Sequence, residues 1–418
     1  MSIMNKMKVT PVGSIPEDWK TVQLGAKASV LRGGSRRPID YFLTNDPDGI
    51  NWIKIGDVSV GAKYIKRTEE KIISEGAARS RKVFSGDFLL SNSMSFGRPY
   101  ILQIDGCIHD GWLVIQDYYK TFDTDYLYYA LNATYIIEQY KSMAAGSSVL
   151  NLNKDIVKKV NIAVPSPDEQ KKIAYALSSI DNMIEVLDEA ITKKRQIKKG
   201  LIQQLLTGKV RLPGFHSEWI PKNLGKSATI KARIGWQGLT TKEYLNSGEY
   251  YLITGTDFKD GRNDWKNCHF VTKDRFEQDP YIKIREHDVL ISKDGTIGKV
   301  AYLDTIPGPG TLNSGVFVVR SKDKDISQRY LAKVFISKYF DDFIDSIVAG
   351  STIVHLYQKD IVKFDFMIPP SIEEQNQICD FIEGVDNEIL NLESKRDKYA
   401  SIKQGMMQEL LTGKTRLI

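Results

Sequence analysis

QLLTGKVRL at residues 204–212 and ELLTGKTRL at residues 409–417 close two copies of one element, Asp168–Leu212 and Glu373–Leu417, in register at an offset of 205 residues. At the same offset Pro165, Gln170, Asp181, Asn182 and Gly200 meet Pro370, Gln375, Asp386, Asn387 and Gly405. A match of this length marks a duplication rather than two ordinary core helices that happen to look alike. Apolar residues at Ile173, Leu177, Ile180, Ile184, Leu187 and Ile191 are spaced by four and three alternately, the seam of a coiled coil; Ile378, Ile382, Val385, Ile389 and Leu392 repeat it. Beyond Ile191 the seam would meet Lys194. An apolar face resumes at Ile197, Leu201 and Leu205, echoed by Ile402, Met406 and Leu410, which suggests a stutter-like phase shift. A lone helix cannot bury its own seam, so the two copies are expected to pair. From Lys171 to Leu206 such a helix would run roughly 54 Å, long enough to act as a spacer.

The segments between the copies repeat as well. GSIPEDW from Gly13 is echoed by HSEW from His216. The β-type runs NWIKIGDVSV from Asn51, KVFSGDFLLS from Lys82 and GWLVIQ from Gly111 correspond to YYLITGTDF from Tyr250, HDVLIS from His287 and GVFVVR from Gly315. Asp57 matches Asp257, and Gly97 matches Gly298. Each copy then has a helical stretch, Asp125–Met143 or Arg329–Ile347, followed by GSSVLNLNKDIV from Gly146 or GSTIVHLYQKDIV from Gly350, where a Gly/Ser turn should lead into a polar strand. This order predicts an α+β fold with two mostly β domains, residues 1–167 and 211–372. Two long helices, residues 168–210 and 373–418, would form an antiparallel two-helix coiled coil with pseudo-twofold symmetry.

A chain of 418 residues can bury two or three cores. Cys107, Cys268 and Cys379 lie too far apart for a disulfide framework or a zinc site, which fits a reducing cytosol. No signal peptide or membrane-spanning run is visible, so a soluble, cytoplasmic protein without a membrane partner is expected. The formal charge of +6 permits nucleic-acid binding without demanding it. Between Lys63 and Lys82, however, Lys63, Lys66, Arg67, Lys71, Arg79, Arg81 and Lys82 outnumber Glu69, Glu70 and Glu75, a local anion-binding candidate.

His109, His216, His269, His287 and His355 form no metal-ligand spacing, so no metal is expected. TGKT at Thr412 has Gln408 where a phosphate loop needs glycine, and it ends a helix instead of beginning one. PDEQK at Pro167 reads as a helix start capped by Asp168 or Ser166 rather than as nuclease carboxylates. With no NPPY-like tetrapeptide and no GxGxxG after a strand, the chain reads as a non-enzyme with no catalytic residue and no cofactor of its own.

The duplicated element, the PxxxEQ starts at Pro165–Gln170 and Pro370–Gln375, the SKDGTIGK turn at Ser292–Lys299 and GSSVLNLNKDIV together span essentially the whole chain. In these features it resembles the specificity subunit of type I restriction-modification systems. That resemblance implies two target-recognition domains, each reading one half of an asymmetric bipartite target in double-stranded DNA. It also implies that the repeated helices space them and dock two methyltransferase (modification) subunits. Methylation and cleavage would belong to partner chains, restriction/translocase subunits included, with S-adenosylmethionine, Mg and ATP expected there.

SNSMSFGRP from Ser91 matches SKDGTIGKV from Ser292, although it lacks the first glycine of DGTIG. Base readers are sought at Asn92, Ser93, Ser95 and Arg98, and at Lys293, Thr296, Lys299 and Asn313. Phosphate contacts are sought at Arg32, Arg36, Arg37, Arg79, Arg81, Lys82, Lys231, Arg233 and Lys242, with a merely solvated basic face as the alternative. Trp236 and Gln237 could enter a groove or stack if the target base is flipped, unless the tryptophan is simply packed. Val186, Leu206 and Leu411, as exposed apolar positions outside the seam, would dock partner helices in a larger bundle. Two other classes compete: a self-contained restriction or modification enzyme, and a non-specific DNA-binding scaffold. The second is disfavoured by divergence concentrated in the loops, since non-specific binding needs only backbone contacts.

Overall fold

Strands buried on both faces organise each half of the chain. The structure, a computed structural model, describes residues 6–35, 37–59, 61–92, 97–144, 152–348 and 355–418. They belong to two compact units, Met1–Asp188 with Ser394–Ile418, and Glu189–Glu393.

In the first unit the strand Phe88–Ser91 is buried throughout. Successive side chains point to opposite faces, so Phe88 and Leu90 enter one core and Leu89 another. The strand lies between Trp112–Gln116 and Pro99–Leu102, antiparallel to both, with Leu90 opposite Leu113. A second sheet contains a parallel pair in which Ile53 stands opposite Ile108. The second unit repeats the plan. Val289–Ser292, buried throughout, lies between Val316–Ser321 and Val300–Tyr302, and the parallel pair sets Ile253 opposite Leu312. Asp57 and Asp257 close the same turn in the two copies, each carboxylate accepting the backbone N–H three residues earlier at 2.7 Å.

Two local expectations change. Each single helical stretch is two helices, Thr124–Leu131 then Thr134–Ala144, and Gln328–Phe335 then Lys338–Val348. Asn132 and Ser337 turn their side chains back onto the carbonyls of Tyr128 and Val334, which favours a turn over continued helix. The expected Gly/Ser turns and the first residues of the expected polar strands lie outside the described residues; the stretch that follows is the short helix Lys154–Lys159, capped by Asn153, or Gln358–Ile361.

The long helices are Pro167–Leu205 and Ile372–Leu410, 39 residues each and so about 58 Å long. Ser166 and Ser371, rather than Asp168, supply the capping oxygens, accepting from the N–H of Glu169 and Glu374. Gly208 and Gly413, both at φ +69°, stop the helices in the left-handed conformation, which is the work of the TGK tripeptide. The compact units do not end where these helices begin. Each unit instead takes the first part of one helix and the last part of the other. Ile173 and Leu177 share a core with Leu410 and Leu411, while Ile378 and Ile382 share one with Ile202, Leu205 and Leu206. Leu206 and Leu411 are therefore buried against their lobes and are not exposed docking points.

Inside the first unit Asp181 pairs with Lys403 at 2.6 Å and Asp188 with Arg396 at 3.3 Å, so the two helical segments run in opposite directions. In the second unit Lys198 pairs with Asp386 at 2.5 Å, and Lys194 with Glu388. These pairs remove the expected phase shift. Lys194, Lys198 and Lys403 occupy the seam half-buried, and Ile197 and Ile402 are 43% and 39% exposed. Lysine and arginine stems cover apolar surface while their heads reach an acid on the other helix, so the spacing of four and three continues unbroken.

The repeated tails have a second task. Arg416 donates to Glu169 through Nε and Nη2 at 2.6 and 2.9 Å, and Trp19 Nε1 donates to the same carboxylate at 3.0 Å. In the second unit Arg211 donates to Glu374 at 2.7 and 2.9 Å beside the Trp219 ring. Buried Gln170 and Gln375 each bridge their helix start to the preceding lobe, accepting the N–H of Asp123 or Ser327 and donating to the carbonyl of Thr121 or Asp325. The PxxxEQ starts and the RL tails are thus two sides of one joint. Among the described residues no helix is long and apolar enough to cross a membrane.

Candidate nucleic-acid interface

One backbone frame presents the candidate loop in both units. In the first, Asn92 N donates to Gly111 O at 3.1 Å, Leu152 N to Asn92 O at 2.8 Å and Gly97 N to Ser91 O at 3.1 Å. In the second, Lys293 N donates to Gly315 O, Leu356 N to Lys293 O and Gly298 N to Ser292 O, all at 2.9 Å. The turn requires Gly97 at φ +75° and Gly298 at φ +79°. A Cβ on Gly97 would also meet the Tyr140 ring at 2.9 Å. Gly97→Ala should therefore cost about 1–3 kcal/mol in urea denaturation. Gly200→Ala, in open space on a helix, should instead stabilise by about 0.5–1 kcal/mol.

Around His109–Gly111 the first unit gathers several of the expected residues. Arg37 Nη2 donates to Asp110 Oδ1 at 2.7 Å, Arg32 Nε to Asp110 O at 3.2 Å, and Arg81 Nε to Arg32 O at 3.1 Å. The three guanidinium groups remain exposed. Burial alone would raise the Asp110 carboxyl, but the Arg37 hydrogen bond and charge outweigh it and hold it below its ordinary value. Burial also presses the His109 imidazole toward its neutral form. Arg79 and Lys82 are exposed, and Arg98 is half-buried. Asn92 departs from its expected part: it is buried and its amide donates to Asp110 O at 3.0 Å, so it organises the loop rather than reading a base. Lys63, from the basic window, is likewise committed, to Asp125 at 2.7 Å and to the faces of Tyr64, Tyr128 and Tyr129. Arg36, Ser93, Ser95 and the Trp236 side chain lie outside the described residues.

In the second unit Lys231, Lys242, Thr296 and Lys299 are exposed, and Lys293 is half-buried over the Phe317 ring. Three expectations change. Arg233 is only 2% exposed and donates to Leu312 O, Thr311 Oγ1 and Gln278 Oε1, so it braces strands instead of meeting phosphate. Burial lowers its guanidinium from the ordinary value, with the Arg275 charge adding to the effect. Gln237 is buried and cannot enter a groove as placed. Asn313 is held by Tyr244, Ser314 and the Gly315 N–H, again an organiser of its loop. A recess of about 260 Å³ opens between the loops, lined by Thr254, Thr256, Asp294, Thr296, Lys299 and Ser314.

Asp110, Asp294, Thr254 and His355 were not singled out as site residues from the sequence. Asp294, Thr254 and His355 lie within SKDGTIGK, YYLITGTDF and GSTIVHLYQKDIV, but nothing local marks them as a site: Thr254 and His355 reach Asp294, and Asp110 its arginines, only across long sequence separations. On the long helices Val186 is 60% exposed, as expected, and Ile197 and Ile402 join it as exposed apolar positions.

Comparison with known proteins gives a consistent picture. The family described as type I restriction modification DNA specificity domain matches residues 16–198 and again 218–403. The type I restriction enzyme MjaVIII specificity subunit of Methanocaldococcus jannaschii is 24% identical, over 96% of this chain and 94% of its own. The type I restriction enzyme EcoBI specificity subunit of Escherichia coli is 20% identical, over 88% and 80%. Among solved structures, the S subunit of a type I restriction-modification system from M. genitalium covers 98% of each chain at 15% identity with a TM-score of 0.55. A chain from a study of complex assembly and conformational transition of the type I R-M system covers 96% of this chain and 99% of its own, at 16% identity and a TM-score of 0.62.

Proposed function

The chain belongs to the type I restriction modification DNA specificity domain family, and from that premise we propose that it is the DNA-recognition subunit of a type I restriction-modification complex. Each unit reads one half of an asymmetric bipartite target in double-stranded DNA. The observation that carries this reading is the shared loop frame, Asn92 with Gly111 and Leu152, and Lys293 with Gly315 and Leu356, which holds different side chains in the two units. A non-specific scaffold has no use for that divergence.

The long helices form an antiparallel coiled coil with pseudo-twofold symmetry that sets the spacing of the two readers. Half-sites one helical turn apart, about 34 Å, face the same side of the duplex and leave the bases between them unread. Two methyltransferase subunits dock on the helices around Val186, Ile197 and Ile402. Chemistry resides in partner chains, which take S-adenosylmethionine, Mg and ATP, and this chain needs no cofactor.

Arg32, Arg37, Arg79, Arg81 and Lys82 contact phosphate in the first unit, and Lys231 and Lys242 do so in the second. Removing Arg79 and Lys82 together should weaken binding to all sequences alike and reduce the slope of log K against log salt by about 0.9 per lost phosphate contact. A loss confined to particular sequences would make them base readers instead. The assignment as a whole is tested by purifying the native complex from its own cells and weighing it intact. Two methyltransferase copies per copy of this chain support it; a chain that emerges alone and methylates or cleaves DNA unaided overturns it.

A further inference from the structure

We propose that Asp294, aimed by His355, reads a cytosine in the half-target of the second unit. This rests on the reading of that unit as a base reader and names one of its contacts. Asp294 stands in the tight turn made by Gly295 at φ +68° and Gly298 at φ +79°, on the frame fixed through Lys293, Gly315 and Leu356. The His355 imidazole hydrogen-bonds through Nδ1 to Asp294 Oδ1, and the ring is itself held edge-on against Tyr357 at 4.5 Å. Among the described residues Oδ2 has no hydrogen-bond partner in the chain. The side chain is 47% exposed and lines the recess with Thr296, Lys299 and Ser314.

Chemistry narrows what this carboxylate can meet. An ionised carboxylate only accepts hydrogen bonds, and it repels phosphate, so it cannot serve as a backbone contact like its lysine neighbours. In the major groove guanine offers two acceptors, and thymine an acceptor and a methyl group. Adenine sets its amino group beside the N7 acceptor, a pair suited to an amide side chain. Cytosine alone offers a donor without a neighbouring acceptor, and a carboxylate is its match. The two copies add an independent observation. With the frames aligned on Leu152 and Leu356, positions 294 and 355 correspond to Ser93 and Asn151, so the acid and its imidazole are exchanged together for a neutral pair. A change of both members at once is expected of a base-reading module and not of a scaffold contact.

The test uses the full chain assembled with its methyltransferase subunits, acting on a random DNA library whose modified sites are sequenced. The wild type should show a C·G pair at one fixed position of one half-target. Asp294→Asn and Asp294→Ser should lower the preference for cytosine there on the order of tenfold and leave every other position unchanged. His355→Asn should relax the same position to a smaller degree. Unchanged base preferences in both Asp294 variants would overturn the assignment while leaving the two-part target standing. Absence of any two-part target in the wild type would instead overturn the underlying reading. Should the Asp294 variants fail to assemble, His355→Asn decides: relaxation at one cytosine supports the assignment, and an unaltered target overturns it.

Discussion

Replacing Glu374 by alanine lowers the unfolding free energy of the second unit by about 3–5 kcal/mol, the range for removing one partner of a buried ion pair. The Glu374 carboxylate is nearly inaccessible and takes two hydrogen bonds from Arg211, which has no other acid beside it among the described residues. Alanine would leave that guanidinium with the Ser217 carbonyl as its remaining acceptor. Glu169→Ala should cost a similar amount, about 3–5 kcal/mol, because Asp18 stays paired with Arg416 at 2.8 Å but the buried Trp19 Nε1 loses its acceptor. The Arg416 hydrogen bond, opposed by burial, already draws the Asp18 carboxyl below its ordinary value. Replacing both partners, as in Glu374→Leu with Arg211→Met, should recover much of the loss, since an apolar pair of similar volume avoids the desolvation of two charges. Urea denaturation checks all three. A loss under 1 kcal/mol for Glu374→Ala would mean that the joint is hydrated and that the repeated arginine serves another purpose.

The double variant Ile197→Glu with Ile402→Glu should keep the fold and lose the assembly. These residues are related by the 205-residue offset and lie outside both cores, which suits two identical partners docking on equivalent surfaces. Exposed substitutions of this kind change stability by about 0.5 kcal/mol or less. Placing a carboxylate in the apolar centre of an interface costs about 2 kcal/mol or more, at least thirtyfold in affinity per site. Titration with the isolated methyltransferase subunit reads both sites, and a variant that binds like the wild type would remove these positions from the interface. Leu206→Glu would be a poor substitute, because it would charge the second unit's core.

The parts of this fold legible in the sequence are those set by local period and punctuation. Seam residues such as Ile173, Leu177, Ile378 and Ile382 are buried as their spacing implies, and TGK does end each helix, although the helices expected over 168–210 and 373–418 stop earlier, at Leu205 and Leu410. The phase of the seam beyond Ile191 is not legible from hydrophobicity alone, which discounts Lys194 and Lys198, whose charges pair across the helices. Exposure of the candidate site residues was less legible. Arg233 and Asn313 look like surface polar residues in sequence, yet they are held by groups distant in the chain, such as Leu312 and Tyr244. Leu411 lies off the seam and so looks exposed in sequence, but its cover comes from the lobe built by the first part of the chain. The loop frame itself follows in part from Gly97 and Gly298 and from the repeated GSSVLNLNKDIV and GSTIVHLYQKDIV, whereas Asp110 carries no local signal and the role of His355 shows only once the fold sets it beside Asp294.

The most direct single measurement is the modification pattern left on random DNA by the assembled complex, compared with that of a chain whose residues 292–299 are replaced by residues 91–98. The expected result is a target in two defined parts separated by unread bases, with the exchange altering one part and sparing the other. A single uninterrupted target, or an exchange that alters both parts together, would contradict the assignment of one reader to each unit.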